Sequence, residues 1–371
     1  MRNADGTSAV GAGSLGRFWR TALGFGRGEG SWLPWTLIGL LIVYVVAQLF
    51  VQYRLNVWNR DFFDALEQRH GAGIRRQTYL LPGLAACSIA LAAFAVWARM
   101  TFQRRWRGWL TACLLSQWLA RGNFRRIDGA GDEPQLAEYR IAEDARIATD
   151  APIDLLTGLL SSVLTAATFV VVLWTVGGGL VVGPPKVSVE LPGYLVFASV
   201  LYAMTTSAAM ILVGRRMAHV IERKNQAESE LKFAVARLRT TPASQGDAPL
   251  QSAPVGFALD EVMRNWRLLC GQHVRTTLVS HANTLLAPIV GLILCVPKYI
   301  DGSLSLGEVT QAAAAFAAVQ GAFNWLVDNY PRLAEWASSA SRVGILLLAL
   351  DQLASPRSIA NREDAQSASR R

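Results

Sequence analysis

Four acids at the head of one apolar run are the residues of this sequence best placed to do chemistry: Glu143, Asp144, Asp150 and Asp154. They lead into Leu155 to Leu173, which carries no charge. A bilayer crossing needs about 20 mostly apolar residues, and this run is long enough. Asp150, Asp154, Thr157, Ser161 and Thr165 follow one another at steps of four, three, four and four, so they share one helical face. Lipid cannot satisfy such groups, and a polar stripe on a membrane helix therefore turns toward other helices or a water-filled cavity. Carboxyl groups placed there can take up and release protons as a cavity opens to one side and then the other, because desolvation disfavours their charged form. The four acids read as proton carriers and the stripe as a pathway wall. The plainer readings are ion pairing of Glu143 and Asp144 with Arg140 or Arg146, and, for Asp150 and Asp154, a favourable position near a helix N-terminus.

Two further sets belong to the same chemistry. Gln320, Asn324 and Asp328 stand at i, i+4 and i+8, and Asn283 sits with Ser280 and Thr284 in a weaker polar patch. With Thr157, Ser161 and Thr165 they are candidates for lining a cavity; hydrogen bonding between helices is the alternative use of such residues. Glu222, Glu228 and Glu230 lie on a charged helical stretch and are further proton candidates, or else a solvated face paired with Arg223, Lys224 and Lys232.

The elements that must position these groups are membrane helices. The chain has 371 residues, 52% of them hydrophobic, and a mean hydropathy of +0.26. Only 17% are charged, against about 25% in soluble proteins. Apolar stretches give six spans: Trp32 to Tyr53, Tyr79 to Phe102, the run from Ile153 to Val182, Gly193 to Gly214, Thr276 to Val296 and Leu306 to Asn329. The predicted fold is all-α and integral to the membrane. Residues 1–31 are basic and rich in glycine and serine, and read as a flexible arm without a signal peptide. Residues 104–120 are amphipathic, lying in the interface or extending the second span. Residues 215–239 read as a helical extension into water, 240–256 as a loop, and 354–371 as a disordered tail.

The formal charge of +9 reflects topology rather than nucleic-acid binding. The 102–149 and 215–275 connections hold eight and ten Lys and Arg, whereas 183–191 and 297–305 hold one each. The positive-inside rule then places both termini in the cytoplasm. The 54–78 connection, assigned outside, carries five arginines against that pattern. Cys87, Cys113, Cys270 and Cys295 form no CxxC, and His70, His219, His273 and His281 form no HExxH, so neither metal nor cofactor is expected. No Ser/His/Asp arrangement points to an enzyme.

Three segments together resemble one family. Trp58-Asn59-Arg60-Asp61-Phe62-Phe63-Asp64-Ala65-Leu66 is similar to a signature that follows the first span of YddA-type ABC transporters. Arg140-Ile-Ala-Glu143-Asp144 resembles the motif opening their third membrane helix, and Glu228 to Arg239 (ESELKFAVARLR) resembles their E-A-[DE]-[FY]-R-x-x-L-x-R-x-R helix. The resemblance runs from about residue 32 to 353. It implies an ABC-exporter-like transmembrane domain with long cytoplasmic helix extensions, working as a homodimer among membrane lipids. Two departures narrow it. No GxxxxGK[ST] is present: Gly178 to Gly183 has the glycine spacing, but Pro184-Pro185 stands where Lys and Ser/Thr are required. Residues 240–247 (TTPASQGD) replace the segment that would contact an ATPase. Both departures are shared with the SbmA/BacA importers, relatives of the YddA group without a nucleotide-binding domain. The resemblance thus implies proton-driven uptake of peptides or similar bulky solutes, with acids of the Glu222–Glu230 helix in the cavity. The alternative is a permease subunit driven by a separate ATPase polypeptide.

Overall fold

The computed structural model describes residues 4–27, 32–124, 136–182, 189–240 and 248–354. The chain is helical almost throughout: α1 (Ala4–Ala22), α2 (Trp32–Glu67), α3 (Gly71–Leu119), a short α4 (Leu136–Tyr139), α5 (Ala145–Gly177), α6 (Tyr194–Gly214), α7 (Met217–Thr240), α8 (Ala248–Ile300) and α9 (Leu306–Ala354). Among the described residues, six helices are long and apolar enough to cross a membrane. An α-helix rises about 1.5 Å per residue, so α3, α8 and α9, of 49, 53 and 49 residues, reach well beyond the bilayer. Residues 104–119 accordingly continue the second span as a single helix.

Three boundaries differ from the sequence reading. Residues 4–26, expected in a flexible arm, form α1 and a following 3-10 turn. Leu15, Phe18 and Ala22 recur at helical spacing, and Phe18 is fully buried. Small residues hide this face from an apolar-run search, yet they allow close approach: a Cβ on Gly344 of α9 would overlap the backbone of Ser14. Ser14 Oγ lies 2.8 Å from Ser341 Oγ, and Arg17 binds Asp351 at 2.6 Å. The third span ends at Gly177 rather than Val182. Gly178 adopts a positive φ of 54°, and Gly179–Val182 pairs antiparallel with Val189–Pro192. The presumed loop of 240–256 is helical from Ala248 onward, since a proline in the first turn needs no N–H. Residues 28–31, 241–247 and 355–371, including nearly all of the expected tail, lie outside the described residues.

The chain divides into two compact units. The first draws on Met1–Trp58, His70–Thr165 and Asp328–Arg371; the second on Asn59–Arg69 and Ala166–Val327. The first is centred on Phe18, Leu37, Phe102, Trp106, Leu110 and Leu347. The second is centred on Phe169, Leu173, Leu195, Cys295, Phe316 and Val319. Within it the end of α2 caps the start of α9. Asp64 Oδ1 accepts from the Gly307 N–H at 2.9 Å, and Glu67 Oε2 from the Leu306 N–H at 3.0 Å. Ser305 and Glu308 exchange side-chain to backbone bonds at 3.1 Å, a capping box. Arg60 reaches Glu308 at 3.0 Å. The Arg60–Leu66 segment is thus a structural clasp.

Gly307 is where that clasp tolerates no side chain, because a Cβ there would overlap Arg60 O and Asp64 Oδ1. The Gly307→Ala variant is expected to lose about 1–3 kcal/mol through overpacking and through loss of the cap. Thermal unfolding in detergent checks this; an unchanged midpoint would show that the clasp carries no stability.

Candidate functional site

Asp154 sits where three helices of the first unit meet. Its Oδ1 accepts from Gln103 Nε2 at 3.0 Å and lies 3.2 Å from Arg99 Nε, both on α3. Its Oδ2 is bound by the Arg332 guanidinium of α9. The side chain is 13% exposed. Gln103 also donates to the Asp150 backbone carbonyl at 2.6 Å, which fixes α3 against α5 at this level. One carboxylate therefore keeps two guanidinium groups together. The shared counter-ion offsets the repulsion of two like charges and holds α3 and α9 together at this level.

A second rung lies further along the same helix segments. Asp144, with 1% of its side chain exposed, receives Arg342 Nε at 2.8 Å and Nη2 at 2.6 Å, a bidentate pair. Arg342 also donates to Ser338 Oγ at 2.6 Å and Ser339 Oγ at 2.8 Å. Between the rungs Trp336 Nε1 donates to Ala148 O at 3.3 Å. Partner numbers fall along one strand of contacts as they rise along the other, so the two helix segments run antiparallel. Asp144 and Asp154 are ten residues apart, as are Arg332 and Arg342, which places the rungs roughly 15 Å apart along the axis. The backbone widens into one π-helical stretch at Arg140–Asp144, which ends on the buried acid. Asp144 thus pairs with Arg342, not with Arg140 or Arg146 as the plainer reading had it.

The remaining candidates are more scattered. Glu143 binds Arg146 at 2.5 Å, and Arg146 lies 3.7 Å from Asp150. Asp150 lines an open cleft along α3. Thr157 bonds back to Ile153 O at 2.6 Å, Ser161 is half-buried, and Thr165 Oγ1 reaches Gln52 Oε1 on α2 at 3.5 Å. The stripe thus meets other helices at Asp154 and at Thr165, while Thr157 bonds within its own helix. In the second unit Glu222 is exposed, 3.9 Å from His219, while Glu228 binds Lys224 at 2.8 Å and Glu230 accepts from Gln226 at 3.2 Å. These three behave as a solvated helical face. Gln320 is buried and donates to Ser199 O at 2.8 Å, but among the described residues its Oε1 has no partner. Asn283 is likewise buried, its Oδ1 unpartnered among the described residues. Asn324 is half-buried and Asp328 exposed. The Gln320 stripe is thus not one continuous lining: its first member is locked between helices and its last is open. No cluster of metal-binding side chains occurs among the described residues.

Sequence reasoning named the acids and missed their cations. Arg99, Gln103, Arg332 and Arg342 carry the site as much as Asp144 and Asp154 do. Two signals could have found them. Arg99 is the one charge within Tyr79 to Phe102, and an ionised group there demands a partner. The equal spacing of the two acids and the two arginines is the other.

Residues 28–243, more than half of the chain, match the family described as ABC transporter transmembrane region 2. The inner membrane ABC transporter ATP-binding protein YddA of Escherichia coli is 25% identical over 313 residues, covering 82% of this chain and 56% of that protein. An uncharacterized ABC transporter ATP-binding protein of Synechocystis sp. is 25% identical over 326 residues, 84% of this chain and 46% of the relative. A similarly described protein of Haemophilus influenzae is 19% identical over 324 residues, 85% of this chain and 54% of the relative. The chain spans about half the length of these relatives.

Proposed function

Because the chain belongs to the ABC transporter transmembrane region 2 family, we propose that it is a transporter of the SbmA/BacA type, importing peptides or similarly bulky solutes on the proton gradient. In this reading two copies form a homodimer in the bacterial inner membrane, with the termini cytoplasmic, and the pathway opens alternately to each side. The observation that carries the reading is the Asp154 cluster. A carboxyl group shared by two arginines at the end of an apolar helix makes proton uptake and helix separation one event. The cycle runs as follows. The carboxylate holds Arg99 and Arg332, and α3 stays on α9. A proton arriving at an Asp154 oxygen releases the arginines, and the helices part. Loss of the proton on the cytoplasmic side restores the pair and closes the path. Asp144 and Arg342 hold the far end of the seam as a fixed pivot. The chain then acts as a carrier with no catalytic group of its own.

A second reading is supported by the relatives' names: they are called ATP-binding proteins, so an ATPase domain or subunit outside these 371 residues would drive the same helices. Residues 240–247 weigh against it, because they lack the ATPase-contacting segment that the YddA resemblance implies there. Uptake of a labelled proline-rich peptide into liposomes carrying the purified chain separates the two. An inward proton gradient without ATP is expected to drive uptake that a protonophore abolishes. Uptake that ignores the gradient and appears only with ATP and an ATPase subunit would overturn the proposal in favour of the second reading.

A further inference from the structure

A basic cleft on α3 adjoins the ion-pair seam at Gln103 and Asp150. It has a volume of about 610 Å³ and is lined by Met100, Arg104, Arg107, Gly108, Thr111 and Leu115, with Gln103 and Asp150 at one edge. These residues recur at steps of three and four, so the cleft follows one face of the helix. The same face is apolar and exposed one turn earlier, at Trp97 and Met100. Beyond Phe102 the apolar span gives way to Arg104, Arg105 and Arg107. The change from aromatic and aliphatic exposure to paired guanidinium groups within two turns is the pattern of a membrane boundary.

Neither Arg104 nor Arg107 forms an ion pair among the described residues. The acids near enough to feel Arg107, Glu143 and Asp150, are themselves engaged by Arg146. Arg104 and Arg107 thus present five-donor forks to a space with an apolar floor, and such forks match phosphate oxygens in shape and charge. Gly108, one turn beyond Arg104 and next to Arg107, has nothing within 4 Å of where its Cβ would be, which leaves room for a head group to approach the backbone.

We propose that this cleft binds the phosphate head group of an anionic phospholipid, with Arg104 and Arg107 on the phosphate and Thr111 beside it, and the acyl chains lying along Met100 and Trp97. The chemistry that selects the ligand is a head group of net negative charge, its phosphate not neutralised by a cation of its own, joined to hydrocarbon. A free phosphate would satisfy the arginines but leave the apolar floor and the exposed Trp97 uncovered. Basic pockets beside membrane helices recognise anionic lipids in this way, each arginine contributing to affinity. Through Gln103, which borders the cleft and also bonds Asp154, an occupied head-group site stiffens the α3 side of the seam.

The test uses the full chain in detergent, titrated with phosphatidylglycerol or phosphatidylcholine and read by native mass spectrometry. Phosphatidylglycerol is expected to bind in preference, and Arg104→Gln with Arg107→Gln to weaken it roughly 30-fold, the product of two surface cations. Phosphatidylcholine binding should not change. Both arginines are exposed and lack ion-pair partners, so the double variant should fold. Gly108→Leu fills the cleft without touching either charge and should also displace the lipid. Inorganic phosphate should fail to compete; competition at equal concentration would assign the site to a free anion and overturn the lipid. Unchanged phosphatidylglycerol binding in the double variant would overturn the site. A shift in oligomeric mass on Gly108→Leu, with lipid binding intact, would assign the cleft to a second copy of the chain instead.

Discussion

Replacing Arg342 with methionine is expected to destabilise the protein by about 3–5 kcal/mol, the cost of leaving a buried charge without its partner. The reason lies in the unequal burial of the pair. Asp144 has 1% of its side chain exposed, and Arg342 has 41%. Without Arg342, the carboxylate has lost both bidentate bonds and stays inside protein, where its desolvation is no longer offset. The reverse change should be milder. Asp144→Asn leaves an arginine that keeps Ser338 and Ser339 as partners and can turn its free edge to water. A loss of about 1–2 kcal/mol is expected, nearer the value of a single charge-assisted bond. The double variant Asp144→Leu with Arg342→Met should recover most of the loss, because apolar replacement of a whole buried pair is often neutral or stabilising. Unfolding midpoints of these proteins, with Asp144→Leu alone as the fourth corner, make a double-mutant cycle. Equal losses in the two single variants would show that burial does not set the energetics of this rung.

The Asp154→Asn variant is expected to stay folded and to lose proton-driven uptake by about 10- to 100-fold, the span that a charge-assisted bond of roughly 1.5–3 kcal/mol represents. Asparagine keeps the size of the side chain and can still accept from Gln103. It cannot hold Arg99 and Arg332 as a shared counter-ion, and it cannot take up a proton. Arg332→Met in the same background removes the repulsion between the guanidinium groups. That double variant should regain stability while uptake remains lost. The split separates a group that moves protons from one that only braces helices, since a bracing role would let stability and uptake return together.

The sequence made the spans and the acids legible, because apolar length and a period of 3.6 are local signals. Leu155 to Leu173 and the stripe from Asp150 to Thr165 could be placed on one helix face from spacing alone. The partners were not legible in the same way. Asp144 meets Arg342 across 198 positions and Asp154 meets Arg332 across 178, and no window of the chain contains both members. Only the matched ten-residue intervals on α5 and α9 carried a trace of the seam. Helix α1 escaped for a different reason. Its packing face is made of Ser14, Phe18 and small residues, so its adhesion comes from close backbone approach at Gly344 rather than from an apolar run. The break after Gly177 was half visible: three glycines marked the end of the helix, but strand pairing of Gly179–Val182 required a partner ten positions on. The stripe on α9 misled, since helical spacing aligned Gln320 with Asp328 while burial separates them.

Proton coupling through Asp154 is tested most directly by following internal pH in liposomes holding the purified chain, with a trapped pH-sensitive dye and no ATP. On adding a proline-rich peptide outside, under an imposed inward gradient, the wild-type chain should acidify the interior in step with peptide entry, and Asp154→Asn should do neither. Peptide entry without acidification, or equal acidification by Asp154→Asn, would contradict the account.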